Sequence, residues 1–236
     1  MISIVIPTLN EEKYLPLLLE SIKKQQEFSD YEVIVSDGGS TDKTVMLAEQ
    51  YQTRVIIDTK IKCPAAQRNN GAKIATGDIL MFLDADSIIE PNFLKIVDKQ
   101  FKERNLIGAG FYFRFNPNYW YYNFYSCISR VICGLKQYSR NPASVGAAIL
   151  SSRQAHNDIG GFDLSVVLAE DYDYCARLAN IGKFRMIKKA RFLYSSRRMQ
   201  KEGFWPTGWK WLKMGLYTLT NRKIKKKIIK YDFGNF

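Results

Sequence analysis

Four short apolar runs, each separated from the next by a stretch with helical spacing, restrict the fold of this chain more than anything else in it. They read ISIVIP (2–7), YEVIVS (31–36), RVIID (54–58) and DILMFLD (78–84). Runs that are apolar on both faces mark strands covered on both sides. After the first run, Leu15, Leu18, Leu19 and Ile22 fall at i, i+3, i+4 and i+7, with Lys23, Lys24 and Gln25 opposite. Pro16 fits the first turn of that helix or a kink in it. Further helices are expected from Asp42 to Tyr51, from Pro64 to Ala75, and after Pro91. This alternation predicts an α/β fold: a Rossmann-like, mostly parallel sheet flanked by helices and joined by right-handed crossovers.

The remainder of the chain is less regular. IGAGFYFRF (107–115) reads as a strand, and ten of the fifteen residues from Phe111 to Tyr125 are aromatic. Tyr119 to Leu135 carries one charge, Arg130, and is short for a membrane-spanning helix. Its aromatics suit a water–lipid interface, an acceptor groove or ordinary core. SVGAAILSS (144–152) reads as a strand, GGFD (160–163) as a turn, 169–182 as a helix and 183–196 as one or two strands.

Composition removes several function classes. The 236 residues can bury a core without disulfides, and Cys63, Cys127, Cys133 and Cys175 form no CxxC pair. The opening MISIVIPTLN lacks a basic region followed by an apolar core and a cleavage site, so a cytosolic chain with reduced thiols is expected. The only histidine, His156, excludes multi-histidine metal sites, and no G-x-G-x-x-G, Walker A or G-x-S-x-G is present. The net charge of +12 is uneven: residues 183–236 carry +14 and residues 1–182 carry −2. Such a basic end suits an anionic membrane surface or nucleic acid.

In open α/β sheets, ligands bind beyond the carboxyl ends of the strands. Here those ends read Pro7-Thr8-Leu9-Asn10-Glu11, Asp37-Gly38-Gly39-Ser40 and Asp84-Ala85-Asp86. Each alone is an ordinary cap or turn. Three on one edge favour a site. Two carboxylates one residue apart, Asp84 and Asp86, suit a divalent cation and a phosphate it carries. Asp37 stands where a carboxylate can accept from a base or ribose, and Arg68, in QRNNG, suits a pyrophosphate. Glu170-Asp171 opens a helix after GGFD, where a carboxylate can take a hydroxyl proton.

The order IPTLNEE, VIVSDGGSTDKT, AAQRNNGAKIATGDILMFLDADS, GGFD and AEDYDYCARL resembles the family 2 glycosyltransferases of the GT-A fold, over roughly residues 1–190. The resemblance implies an inverting transferase that uses a UDP- or GDP-sugar and a divalent cation, Mn²⁺ or Mg²⁺. It implies that Pro7, Thr8, Asn10 and Glu11 line the nucleoside and that Asp37 reads the base. Arg68 would face the diphosphate, Asp84 would contact ribose or sugar, Asp86 would bind the metal, and Asp171 would be the general base. Two features depart from many members. No histidine follows His156 to complete a metal site, and the Gln-x-x-Arg-Trp signature of processive synthases is absent. Ser195-Ser196-Arg197-Arg198 with Trp205 occupies the comparable stretch, so Arg197, Arg198, Trp205 and Glu170 are candidate diphosphate or acceptor contacts.

The expectation is therefore transfer of a single sugar to an acceptor hydroxyl or a lipid phosphate. A nucleotidyltransferase is the first rival, disfavoured because PTLNEE has no glycine. A non-catalytic membrane- or RNA-binding module is the second, and it leaves the polar strand ends unexplained. Residues 1–195 are expected to form one glycosyltransferase domain, with 1–105 as the donor half and 106–195 as the acceptor half. Residues 196–236 would be a basic amphipathic segment. Peripheral attachment to the inner face of the cell membrane is expected, with a lipid-linked or saccharide acceptor and no nucleic-acid partner.

Overall fold

The first hundred residues fold as their alternating periods predict. A computed structural model describes residues 1–139, 141, 142, 144, 146–219 and 224. The elements β1 (Ile2–Thr8), α1 (Leu15–Lys23), β2 (Tyr31–Asp37), α2 (Thr44–Gln50), β3 (Arg54–Ile57), α3 (Pro64–Ile74) and β4 (Ile79–Leu83) follow in order. Pro16 lies at the start of α1, where its missing N–H costs nothing. Helix α2 begins at Thr44 rather than Asp42, because the Asp42 carboxylate accepts the Thr44 N–H at 3.0 Å.

Then come β5 (Ser87–Ile89), α4 (Phe93–Glu103), β6 (Gly108–Asn116), α5 (Trp120–Lys136), β7 (Ala148–Ser152) and α6 (Arg153–Asp158). Helix α7 (Glu170–Ile181), β8 (Phe184–Ser195), α8 (Arg197–Glu202) and α9 (Phe204–Leu219) complete the described elements. The eight strands form one sheet in the order β3-β2-β1-β4-β7-β6-β8-β5. Strands β3, β2, β1 and β4 are parallel, as are β6 and β8. Strand β7 runs against both its neighbours, and β5 runs against β8. The region 183–196 is one long strand, irregular where Phe111 and Tyr112 of β6 face Ile187 and Arg191.

Every residue of β1 and β4 is buried, because both sheet faces are covered. Successive strand side chains point to opposite faces. Ile2, Ile4 and Ile6 join Leu15, Leu18 and Ile22 of α1 and Phe93 and Val97 of α4. Val5 and Ile34 join Ala65 and Ala72 of α3 and Tyr174 and Leu178 of α7. Small residues let α3 lie close on β1: a Cβ at Gly71 would come within 2.4 Å of Val5 Cγ1. Both atoms sit in packed elements and neither can swing aside. Gly71→Ala is expected to destabilise by about 1–3 kcal/mol despite the better helix propensity of alanine. Urea unfolding checks it, and an unchanged midpoint would show that α3 shifts freely.

Candidate active site

Strands β2, β1 and β4 are parallel neighbours, so their carboxyl ends meet on one edge. The register sets Thr8 opposite Asp37, and Thr8 Oγ1 donates to Asp37 Oδ2 at 2.9 Å. Asp37 Oδ1 accepts from the backbone N–H groups of Gly39 and Ser40 at 2.8 and 2.7 Å, and Ser40 Oγ donates to Oδ2 at 2.5 Å. The carboxylate is fully buried and holds its own turn together. Asp37 was expected to read a base, but here its oxygens are turned inward and it does not line the cleft. Asn10 takes the left-handed conformation that asparagine tolerates, φ 56°, and its Oδ1 accepts the Thr41 N–H at 2.9 Å. It too stands outside the cleft lining, whereas Pro7, Thr8 and Glu11 belong to it.

Arg68 joins the two acidic motifs. It is 2% exposed, on the face of α3 that packs toward the sheet. One guanidinium nitrogen donates to Asp84 Oδ1 at 2.8 Å and the other to Glu170 Oε1 at 2.9 Å. Burial works against its charge, yet Asp84 and Glu170 together raise its pKa. Its Nε–H is buried without a partner. The next residue, Asn69, clamps the GGFD turn: its Nδ2 donates to Phe162 O, and its Oδ1 accepts the Phe162 N–H, both at 2.8 Å. Helix α3 thereby fixes the entry to α7, and with it Glu170 and Asp171. The N-cap of α7, Ala169, is left-handed at φ 58°, a strained conformation for alanine at the cleft wall.

Asp171 lies in the first turn of α7, partly accessible and lining the cleft. Desolvation raises its pKa, Glu170 adds to the rise, and Arg68 opposes it. A Cβ at Gly146 would fall 2.6 Å from Asp171 Oδ2, so glycine there leaves room for the carboxylate. Glu11 and Asp86 share a different cation. Arg197, the first residue of α8, donates to both Glu11 oxygens at 2.7 and 2.8 Å, and its Nε meets Asp86 Oδ2 at 2.9 Å. Burial, with Asp84 and Glu11 nearby, still pushes Asp86 up to about 7 despite Arg197. Burial likewise raises Glu11 against the pull of Arg197.

The cleft thus holds Glu11, Asp84, Asp86, Glu170 and Asp171 around Arg68 and Arg197. Arg198 also lines it, while paired with Glu202 at 3.4 Å. Trp205 was expected beside these arginines. It is 82% exposed on α9 and outside the lining; Trp211, two turns on, takes the place at the wall. Phe113, Tyr125, Tyr172 and Tyr194 complete an aromatic side that the sequence announced only as composition.

His156 takes a structural part. Its Nδ1 is 2.7 Å from Tyr174 Oη, which also meets Ser151 Oγ at 2.8 Å, and Phe162 stacks on Tyr174 at 3.9 Å. Burial, then the charge of Arg177, lowers its pKa from 6.5 to about 4. As pH falls, the unfolded chain takes up this proton first, so the stability lost between pH 6.5 and about 4 is fully present above that window. His156→Gln is expected to show a shallower loss over that window in urea unfolding, and equal slopes would remove His156 as its source.

The sequence model of glycosyl transferase family 2 matches residues 3–160. The chain belongs to glycosyl transferase family 2. This family 2 glycosyltransferase is 35% identical over 99 residues to the poly(ribitol-phosphate) β-N-acetylglucosaminyltransferase TarS of Staphylococcus aureus, which covers 39% of this chain and 17% of TarS. It is 27% identical over 210 residues to chondroitin synthase of Escherichia coli, covering 80% of this chain and 28% of that one. Both relatives are thus several times longer than the matched region. Among solved structures it superposes on the mannosyltransferase PcManGT of Pyrobaculum calidifontis, in complex with GDP-Man and Mn²⁺. That match has a TM-score of 0.70 at 21% identity and covers 81% of this chain and 56% of the other. The S. aureus TarS 1–349 fragment in complex with UDP-GlcNAc gives 0.66 at 22%, covering 83% and 58%. These likenesses show the GT-A fold for the family 2 domain.

Proposed function

We propose that this family 2 glycosyltransferase moves a single sugar from a UDP- or GDP-sugar to an acceptor hydroxyl, with inversion. The observation that carries this reading is Arg68, which holds Asp84 of one motif and Glu170 of the other in a single cleft. An acceptor oxygen attacks the anomeric carbon from the side opposite the diphosphate. The bond from that carbon to the diphosphate oxygen breaks, and the nucleoside diphosphate leaves with the electron pair. Asp171 takes the acceptor proton, and Arg68 with Arg197 and Arg198 offsets charge on the leaving group. A lipid phosphate acceptor would need no base, and Asp171 would then only position it.

Three carboxylates, Glu11, Asp84 and Asp86, stand together in the cleft, with Arg197 joining Glu11 to Asp86 and Arg68 holding Asp84, so the carboxylates outnumber the two guanidinium groups. Such a set fits a hard divalent cation, Mn²⁺ or Mg²⁺, although no cluster of three ligands is preassembled among the described residues. Asp86, with Asp84, would hold it, and when bound it would neutralise charge on the diphosphate. PcManGT, a fold relative, is described with GDP-Man and Mn²⁺. Asp86→Ala is expected to abolish Mn²⁺-dependent nucleotide binding and leave the fold intact. Calorimetry with and without Mn²⁺ tests it, and unchanged metal-dependent affinity would remove Asp86 from the metal.

We further infer that residues 1–105 hold the donor, 106–195 the acceptor, and that 196–236 attach the enzyme to the inner face of an anionic membrane beside a lipid-linked or saccharide acceptor. Among the described residues no helix is long and apolar enough to cross a membrane. Arg222, Lys223, Lys225, Lys226 and Lys227, part of the basic segment, lie outside the described residues. Co-sedimentation with phosphatidylglycerol vesicles, lost on deleting residues 206–236, tests this attachment.

A further inference from the structure

Helix α5 is amphipathic in an unusual sense: its outward side is the apolar one. Tyr122 and Cys133 face the protein, and these are its buried residues. Trp120 is 79% exposed, Phe124 64%, Val131 56% and Leu135 71%, with Ile128 and Ile132 also exposed. At ~100° per residue these six fall within about a third of the helix circumference. Helix α9 repeats the pattern with Trp205, Trp209 and Leu212 at i, i+4 and i+7, all exposed.

The two helices pack together. Phe204 meets Tyr121 and Tyr122 at 5.8 and 6.2 Å, and Trp211 meets Tyr125 at 4.8 Å. The contacts advance in the same order along both, so the helices run in the same direction. The outward stripe lies about a quarter turn from its contact line on α5 and about a third of a turn on α9, in opposite rotational senses, which puts both stripes on the same side of the pair. The inner sides of the same helices belong to the cleft, through Tyr125 and Ser129 of α5 and Trp211 and Met214 of α9. Charge agrees with this arrangement. The two helices carry Arg130, Lys136, Lys210 and Lys213 and no Asp or Glu.

We propose that the outward faces of α5 and α9 form one lipid-inserting surface, which seats the enzyme on an anionic bilayer with the cleft opening beside the headgroups. The proposal rests on the membrane reading above and assigns the attachment to apolar insertion rather than to the basic end alone. Trp and Phe exposed on helices that carry basic residues and no acids of their own match the headgroup boundary of an anionic leaflet. An acceptor with a lipid anchor would then enter the cleft from the side that touches the bilayer.

The test uses the full chain, vesicles of phosphatidylglycerol and phosphatidylcholine, and the double variant Phe124→Glu, Val131→Glu. Both side chains are exposed, so the variant is expected to keep its fold, checked by circular dichroism and melting temperature. Vesicle affinity is expected to fall about tenfold or more in the variant, and wild-type tryptophan fluorescence to be quenched by brominated lipids. Wild-type binding should also keep a component that high salt does not remove. Transfer to a water-soluble acceptor without vesicles should be equal in the two proteins. Equal vesicle binding by the variant, binding wholly removed by salt, or a wild-type dimer that the variant converts to monomer would each overturn the proposal. Membrane binding that depends on residues 206–236 and not on α5 would overturn it while leaving the membrane reading intact. Loss of membrane binding by every route would sink both and leave the glycosyl transfer untouched.

Discussion

Asp171→Asn is expected to lower turnover on a hydroxyl acceptor by about 10²-fold or more while donor affinity stays nearly unchanged. The substitution keeps the size and the place in the first turn of α7 and removes only the ability to take a proton. Desolvation and Glu170 raise the Asp171 pKa above that of an ordinary carboxylate. A base must be ionised to act, so the wild-type rate should fall on acidification through a pH higher than a free carboxylate would give, and the asparagine variant should lose that limb. Initial rates across pH measure both. A near-normal rate in the variant would remove Asp171 from the chemistry. Gly146→Ala offers an independent approach, because its Cβ would sit 2.6 Å from Asp171 Oδ2 and displace the carboxylate without removing it.

The second large effect falls on stability. Arg68→Met leaves Asp84 and Glu170 facing each other without the buried guanidinium that separates them. Removing one partner of a buried ion network costs about 3–5 kcal/mol, or a melting temperature lower by roughly 10 °C in a domain of this size. Adding Glu170→Gln should recover part of the loss, since the orphaned negative charge goes with it. Calorimetry of the three proteins decides the matter. A double variant no more stable than Arg68→Met would show that packing, and not charge, set the cost.

The parallel half of the sheet was legible because each strand is covered on both faces and so writes itself as an unbroken apolar run. Its carboxyl edge was legible for a related reason: parallel neighbours must end together, so Thr8, Asp37 and Asp84 had to converge. The second half resisted. Strand β7 inserts antiparallel between β4 and β6, a pairing between segments about seventy residues apart in the case of β4, and no local period encodes that choice. Side-chain direction was hidden too. Asp37 and Asp86 both follow apolar strands, yet one closes its own turn and the other looks into the cleft. Trp205 and Trp211 differ by six positions on one helix, which is enough to send one to the surface and the other to the wall.

The bond from Arg197 to Glu11 spans 186 positions. During synthesis, Glu11 and Asp86 are made long before Arg197, the cation they share. A nascent chain stopped short of residue 197 would present these two carboxylates without the guanidinium that joins them, beside Arg68, which already holds Asp84. This wall of the cleft is therefore tied to the first strand only when the end of β8 has been made, so the two ends of the domain lock each other.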